Sequence, residues 1–217
     1  EVKANKLSPA TGTDVTLGDS GDTFTAPSGA TLDVSSATMT GFTIPSGQTL
    51  TVASGATITN SGTASGFGLF SSYAIIADQK TQNTGGGTFT SGAWRERDLN
   101  TEIADPDSIV SISSNQFTLA AGTYLIKWAA PTYGVGNQQT RLYNVTDTAV
   151  EGLGMSTYAS QAWVGETPSG CARTTITGSK AFTIEHQSTT TYATNGFGFA
   201  ANIGTEQYTT VEIYKEA

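Results

Sequence analysis

The sequence is short of charge. Only 13% of its 217 residues are Asp, Glu, Lys or Arg, about half the share found in an average soluble domain. The 18 acidic residues outnumber the 10 basic ones, which gives a formal net charge of −8. Because a nucleic-acid-binding protein needs basic residues to neutralise phosphates, this balance argues against nucleic acid as a partner.

Cysteine and long apolar runs are also scarce. Cys171 is the only cysteine, so the chain forms no internal disulfide and supplies too few ligands for a cysteine-based zinc site. The simplest interpretation of Cys171 is a small buried side chain on a strand. No apolar stretch approaches the ~20 residues that a membrane span needs, and the N-terminal residues lack the pattern of a secretory signal, so we expect no membrane insertion.

Candidates for catalysis are few. His186 is the only histidine, and no Gly-x-Ser-x-Gly elbow accompanies it, so we interpret it as a hydrogen-bonded structural residue. Glu102, Asp105 and Asp107 surround Pro106 and could supply a pair of glycosidase carboxylates, but a solvated turn explains them better. We therefore expect no enzymatic activity, no catalytic residues, no cofactor and no bound metal.

The N-terminal third contains a repeat. Between Val34 and Ala77 there is no Asp, Glu, Lys or Arg, and most residues are Ser, Thr, Gly or Ala. Residues 24–34 (FTAPSGATLDV) return after 18 positions as residues 42–52 (FTIPSGQTLTV). Each copy combines a short alternating strand with a Pro-Ser-Gly corner, which is typical of β-solenoids and triangular β-prisms.

Such short strands leave their apolar side chains uncovered. Each offers about two inward side chains, too few for a lone chain to form a core. We therefore predict that residues 23–68 form a β-prism or β-solenoid shaft built by several chains; a flexible linker is the alternative. Residues 1–22 would form an attachment segment in which Lys3 and Lys6, the only basic residues before Lys80, dock on an acidic partner surface.

Residues 69–217 differ in composition from the repeat. Charged residues return, and all three tryptophans lie in this part of the chain. Short alternating runs, separated by Gly, Asn, Asp and Pro clusters, predict a β-sandwich or jelly roll without long helices. The predicted strands cover residues 73–77, 109–113, 117–119, 123–130, 140–144, 174–176, 181–186, 197–201 and 209–215.

Several motifs resemble a known family. Residues 88–101 (TFTSGAWRERDLNT), 115–124 (NQFTLAAGTY) and 141–144 (RLYN) resemble the opening of a complement-head/tumour-necrosis-factor-like jelly roll, in the variant found in virion proteins of marine bacteriophages. Residues 204–215 are similar to the last strand of that family, and residues 3–9 and 16–22 to the opening of short phage fibre proteins.

The resemblance implies more than the residues establish. It implies a ten-stranded jelly-roll head, a parallel homotrimer and a non-enzymatic attachment or structural role at the virion surface. Residues 1–22 would contact other virion proteins. Some families of this fold hold calcium at the head, but this sequence has no clear aspartate-rich loop of that kind.

Aromatic residues outside the predicted strands mark a candidate receptor surface. Three long segments combine aromatic residues with Ser, Thr, Gly and Asn, a composition similar to antibody binding loops. Their aromatic residues are Tyr133 in 131–138, Tyr158 and Trp163 in 154–170, and Tyr192 in 187–196. We expect these residues to contact a host surface glycan or protein, although each could instead hold a loop or a subunit interface together.

Two functions follow. The first is a homotrimeric phage fibre protein that attaches to the host through exposed head loops. The alternative is a capsid decoration or head-fibre protein that the N-terminus anchors to the shell. A depolymerase is disfavoured because the predicted shaft is short and no convincing acid/base pair occurs.

Overall fold

The computed structural model describes residues 49, 54–55, 69–160 and 164–217. Within these residues the chain forms thirteen β-strands and no helix. The all-β fold class is therefore confirmed. The predicted attachment segment and shaft lie almost entirely outside the described residues, so the divisions at residues 22 and 68 stay predictions.

The strands follow one another closely along the chain. They are β1 (Phe70–Lys80), β2 (Arg95–Glu96), β3 (Thr101–Ala104), β4 (Val110–Ser113), β5 (Gln116–Leu119), β6 (Gly122–Ala129), β7 (Thr132–Tyr133), β8 (Gly136–Asn144), β9 (Ala149–Ala159), β10 (Gly165–Glu166), β11 (Ser169–Ile176), β12 (Lys180–Ser188) and β13 (Glu206–Glu216). The β4–β5 hairpin turns at Ser114 and Asn115, both with positive φ, as a tight two-residue turn requires.

Eleven of these strands form two antiparallel layers. The order in the first layer is β3-β1-β13-β6-β11, and the order in the second is β9-β8-β12-β5-β4, where β2 also pairs with β12. A single residue pair, Gly170 with Gly154, joins β11 to β9 between the layers. Several neighbours, such as β1 with β13 and β12 with β5, come from distant parts of the chain, which is the arrangement of a jelly roll. The jelly roll implied by the family resemblance is confirmed, with eleven strands in its two layers and not ten.

The core lies between the two layers. In β6 the alternate residues Tyr124, Ile126 and Trp128 point inward, and the facing layer contributes Leu142 and Ile184 among others. Trp128 donates a hydrogen bond from Nε1 to Oγ1 of Thr140 on β8, at 2.9 Å. This bond satisfies the buried indole N–H and ties one layer to the other.

Glycine permits the close approach of the layers where they join. A Cβ atom added to Gly170 would lie 2.0 Å from the ring of Trp128, and one added to Gly152 would lie 2.6 Å from Cβ of Ala172. Both positions therefore require the absence of a side chain.

Two strand predictions were wrong. Residues 197–201 form no strand, because Gly198 adopts a φ of +132° beside the Tyr208 ring. The eleven-residue strand β9 was missed, and part of it was assigned to a loop. Its two internal glycines lower the strand signal, yet both lie where neighbouring side chains leave no room for Cβ.

Candidate functional site

Tyr133 and Tyr192 lie together at one end of the sandwich. Their rings meet edge to face with centroids 5.4 Å apart, and the Tyr133 ring also contacts Phe199 at 5.1 Å. Tyr133 lies on β7 and is only 8% exposed. Its contacts hold the end loops together, and its receptor role stays a prediction.

Tyr158 occupies a strand, not the loop that we expected. It lies near the end of β9 and is 59% exposed. Trp163, predicted to share a binding surface with it, lies outside the described residues. Tyr158 is therefore the most exposed of the described residues in the predicted receptor set, and it is held by the sheet.

The outer face of the second layer forms an open groove beside Tyr158. The sheet register places Asn137 opposite Tyr158, Gln139 opposite Ser156, and Gln187 opposite Gln139, so these side chains share one face. The groove has a volume of about 570 Å³. It is lined by Trp94, Asn137, Gln138, Gln139, Ser156, Thr157, Tyr158, Gln187, Ser188 and Thr189.

Arg141 holds Trp94 at this groove. The guanidinium carbon of Arg141 lies 4.2 Å from the centroid of the Trp94 ring and 4.7 Å from that of Tyr143. Its Nε donates to Oε2 of Glu185 on the neighbouring strand, at 2.6 Å. The indole therefore rests on a guanidinium whose charge is already neutralised, which fixes the ring without adding net charge.

Trp94 was not among the predicted receptor residues. Those residues were chosen because they lie in long loops, whereas this groove lies on the outer face of a sheet. The available signal was the alternation of Asn137, Gln139, Arg141 and Tyr143, which places four polar or aromatic side chains on the solvent face of one strand.

A second groove opens where β9 of the second layer meets the outer face of the first layer, which contributes residues of β6, β11 and β13. It has a volume of about 610 Å³ and contains Leu153 and Met155, which are 61% and 60% exposed. Cys171 also lines it and is exposed, so the interpretation of this cysteine as buried was wrong. On β11 the inward positions belong to Ala172 and Thr174, which turns Cys171 outward.

Charged residues border this second groove. Lys127 donates from Nζ to Oε2 of Glu212 at 3.1 Å across β6 and β13. The hydrogen bonds from Tyr214 and from Lys127 hold the pKa of Glu212 below its usual value. The result is an exposed apolar strip beside a paired charge, a pattern typical of a protein–protein contact surface.

His186 lies in the core, away from both grooves. Its ring is fully buried and meets Phe89 edge to face at 4.9 Å. Neither ring nitrogen has a hydrogen-bond partner among the described residues, so the expected hydrogen bond is absent. Burial, and then the charge of Arg97, hold the pKa of His186 well below its usual value. The neutral ring has no hydroxyl bonded to it for use as a nucleophile.

Arg97 is also buried, and its guanidinium carbon lies 4.3 Å from the centroid of the Phe197 ring. It donates from Nε to Thr209 Oγ1 at 2.8 Å, and from Nη2 to the carbonyls of Pro131 and Phe197 at 3.0 and 2.8 Å. Burial lowers the pKa of Arg97 to about 9, which leaves it charged at neutral pH. It ties β13 and the end loops together.

The acidic turn has structural contacts. The carboxylate of Asp105 accepts hydrogen bonds from the backbone N–H groups of Ile109 and Val110 at 2.8 and 2.9 Å. Asp107 accepts one from the hydroxyl of Ser72 at 2.6 Å. These carboxylates therefore shape the connection between β3 and β4. Within the described part of the chain, no cluster of metal-ligating side chains occurs, and no helix is long and apolar enough to cross a membrane.

Comparison with known proteins found similarity to solved structures. No family model and no curated protein matches the chain. Similar solved structures include the globular domain of zebrafish complement 1qA protein (15% identity, 66% of this chain and 95% of that one, TM-score 0.43). Murine APRIL (8%, 66% and 98%, 0.43) and PRD1 vertex protein P5 (17%, 69% and 100%, 0.42) are two others. The strand order itself defines the head as a jelly roll.

Proposed function

We propose that this chain is a non-enzymatic, homotrimeric virion fibre protein whose head attaches the particle to the host surface. Residues 1–22, with Lys3 and Lys6, would mount it on other virion proteins. The observation that carries the proposal is the contrast between the two grooves of the head. One groove exposes an apolar strip, and the other exposes aromatic rings among amides and hydroxyls.

The apolar strip supports self-association. Leu153 and Met155 are large apolar side chains held outward on a strand, and covering them removes apolar surface from water. The family resemblance implies a closed three-fold assembly, in which a patch on each subunit meets a different patch on the next. Such a contact would also cover Cys171.

The groove beside Trp94 supports attachment. It shares no lining residue with the groove that holds Leu153 and Met155, and most of its lining residues lie on β8 and β12. Subunits packed through the apolar strip would leave that part of the groove open to solvent. Three such grooves on one particle-bound head would engage a repetitive surface together.

The residues considered for catalysis support a non-enzymatic role. His186 is fully buried in the core. Catalytic acids and bases need access to a substrate, which burial denies to His186. The carboxylates of Asp105 and Asp107 accept hydrogen bonds within and beside a turn, which these bonds shape.

Oligomeric state tests the proposal directly. We expect purified protein to have three times the mass of one chain by native mass spectrometry. The double variant Leu153→Asp/Met155→Asp should dissociate to folded monomers, because charges replace the apolar strip. Ile203→Asp, at an apolar residue exposed away from both grooves, is the control and should stay trimeric. A wild-type monomer, or a double variant that remains trimeric, would contradict this assignment.

The mounting point needs a separate measurement. Electron microscopy of intact virions with antibody against residues 1–22 should label the tail if the chain is a fibre. Labelling on the shell would instead support a capsid decoration protein.

A further inference from the structure

We infer that the groove between Trp94 and Tyr158 is a binding site for an uncharged oligosaccharide. The inference rests on the proposed attachment function and specifies the chemistry of its ligand. It starts from two aromatic rings at either end of one sheet face. Tyr158 lies beside Asn137 on the neighbouring strand, and Trp94 stacks on Arg141, four residues further along β8.

The spacing of the rings suits an extended ligand. Four residues of strand cover roughly 13 Å, which exceeds the width of one sugar ring and fits a short oligosaccharide lying along the groove. The volume of about 570 Å³ is in the range of small-molecule sites. Pyranose rings present a flat face of C–H groups, which packs against an aromatic ring.

The floor between the rings is made of hydrogen-bonding groups. Asn137, Gln139 and Gln187 each carry an amide that both donates and accepts, as does the hydroxyl of Ser156. Among the residues that the structure describes, the only hydrogen bond made by these four side chains is from Gln139 Nε2 to the carbonyl of Gly154, at 3.2 Å. Amides of this kind match the hydroxyl groups of a sugar, which also donate and accept.

Charge decides the class of sugar. Every side chain that lines the groove is uncharged. The charged pair that supports Trp94 consists of Arg141 and Glu185, which neutralise each other. An acidic sugar would therefore lose its hydration without gaining a cationic partner, whereas a neutral one loses little.

The site is rigid before any ligand arrives. Trp94 is held by Arg141, and the floor residues lie on three hydrogen-bonded strands, β12, β8 and β9. A site built on strands costs less conformational entropy on binding than one built on loops. A single groove should still bind weakly, since it is open and shallow.

Nuclear magnetic resonance on the full chain tests the site. The indole N–H signal of Trp94, assigned by its loss in Trp94→Phe, is followed while maltotetraose, cellotetraose, mannotetraose or tetragalacturonate is added. We expect at least one neutral tetrasaccharide to shift this signal in a saturable way, and tetragalacturonate to leave it in place. The side-chain amides of Asn137 and Gln187 should shift with it.

Matched variants separate the groove from other aromatic surfaces. Tyr158→Ala should weaken neutral tetrasaccharide binding at least tenfold, because one of the two stacking surfaces is lost. Phe199→Ala removes an aromatic ring of similar exposure outside the groove and should leave binding unchanged. The inference is overturned if no neutral tetrasaccharide shifts Trp94, if tetragalacturonate binds more tightly, or if Tyr158→Ala binds like wild type.

A cell-binding assay keeps this inference apart from the proposed function. Wild-type protein that binds host cells but ignores every neutral tetrasaccharide would refute the site and leave attachment standing. Protein that binds a tetrasaccharide in the groove but does not bind host cells would refute attachment and leave the site standing.

Discussion

At the scale of single residues, the core contains polar side chains at positions where burying an apolar side chain would cost less free energy. His186 is fully buried with neither ring nitrogen paired among the described residues, and Arg97 has its Nη1 in the same condition. Arg97 compensates through three other hydrogen bonds. His186 has no such compensation, so it weakens the fold whenever it must take up a proton.

The stability of the head should therefore depend on pH through His186. Its pKa is lowered in the folded state, so the unfolded chain, with a histidine pKa near 6.5, binds the proton more readily. Stability is then fully present above pH ~6.5 and falls as the pH drops below that value. The limiting slope for one proton is roughly 1.4 kcal/mol per pH unit. Urea denaturation between pH 7.5 and 5 (roughly the titration range of histidine) measures it.

His186→Leu is the variant that isolates this effect. Leucine loses no hydrogen bond, since the ring made none among the described residues, and the variant should match wild type at neutral pH and lose the slope below it. Asp78 acts in the opposite sense, because burial raises its pKa and its protonation favours the folded state at low pH. Equal slopes in wild type and His186→Leu would assign the pH dependence to other groups.

At the scale of elements, the junction of the two layers depends on residues without side chains. Gly170 on β11 and Gly154 on β9 form the single pair that links the layers. The Trp128 ring occupies the space where a Cβ of Gly170 would lie, at 2.0 Å. Because Trp128 also donates to Thr140 of the other layer, moving the ring would disturb both layers.

Gly170→Ala should destabilise the head by about 2 kcal/mol or more, because the methyl group forces the Trp128 ring out of its position. Thermal unfolding measures the loss. The control is Gly178→Ala, where an added Cβ meets nothing within 4 Å, and it should be neutral or slightly stabilising. Similar melting temperatures for Gly170→Ala and wild type would mean that the ring moves freely.

The same glycines explain what the sequence could and could not predict. Strands such as β6 and β13 were predicted because apolar residues alternate along them and indicate which side faces the core. These residues are Tyr124, Ile126 and Trp128 in β6, and Val211 and Ile213 in β13. In β9 the close approach of neighbouring side chains requires glycine at positions 152 and 154, so the alternation of apolar and polar residues is lost there. The exposure of Cys171 was likewise hidden, because the sequence gives the alternation of β11 but not which face is covered.

The candidate site was predicted only in part for a related reason. Tyr158 was identified by residue type, but its neighbours in the groove come from β8, β12 and the segment before β2. Those elements meet through strand pairings that span up to about fifty residues of sequence between β8 and β12 and about ninety between β2 and β12. Local patterns do not encode such pairings. The sequence alone therefore could not predict that Trp94 and Tyr158 line the same groove, because this depends on how β8 pairs with β9 and β12.

At the scale of the whole molecule, attachment and assembly should be coupled through affinity. One shallow groove gives weak binding, whereas three grooves on a fixed axis act together once the first has bound, because the others are held at high effective concentration. The monomeric double variant Leu153→Asp/Met155→Asp changes no residue that lines the groove beside Trp94. It should bind a neutral tetrasaccharide as well as wild type does, yet bind host cells about 10²-fold less tightly.

Restoring three-fold association should restore cell binding. A trimeric coiled coil appended to the C-terminus of the double variant supplies the valency without repairing the apolar strip. Retention on host cells, measured by flow cytometry over a concentration series, should return toward the wild-type value. Adding Tyr158→Ala to the re-trimerised protein should again reduce retention on host cells, because joining three grooves raises avidity only if each groove still binds the ligand. Wild-type retention by the free monomer would show that one groove suffices and that assembly serves another purpose.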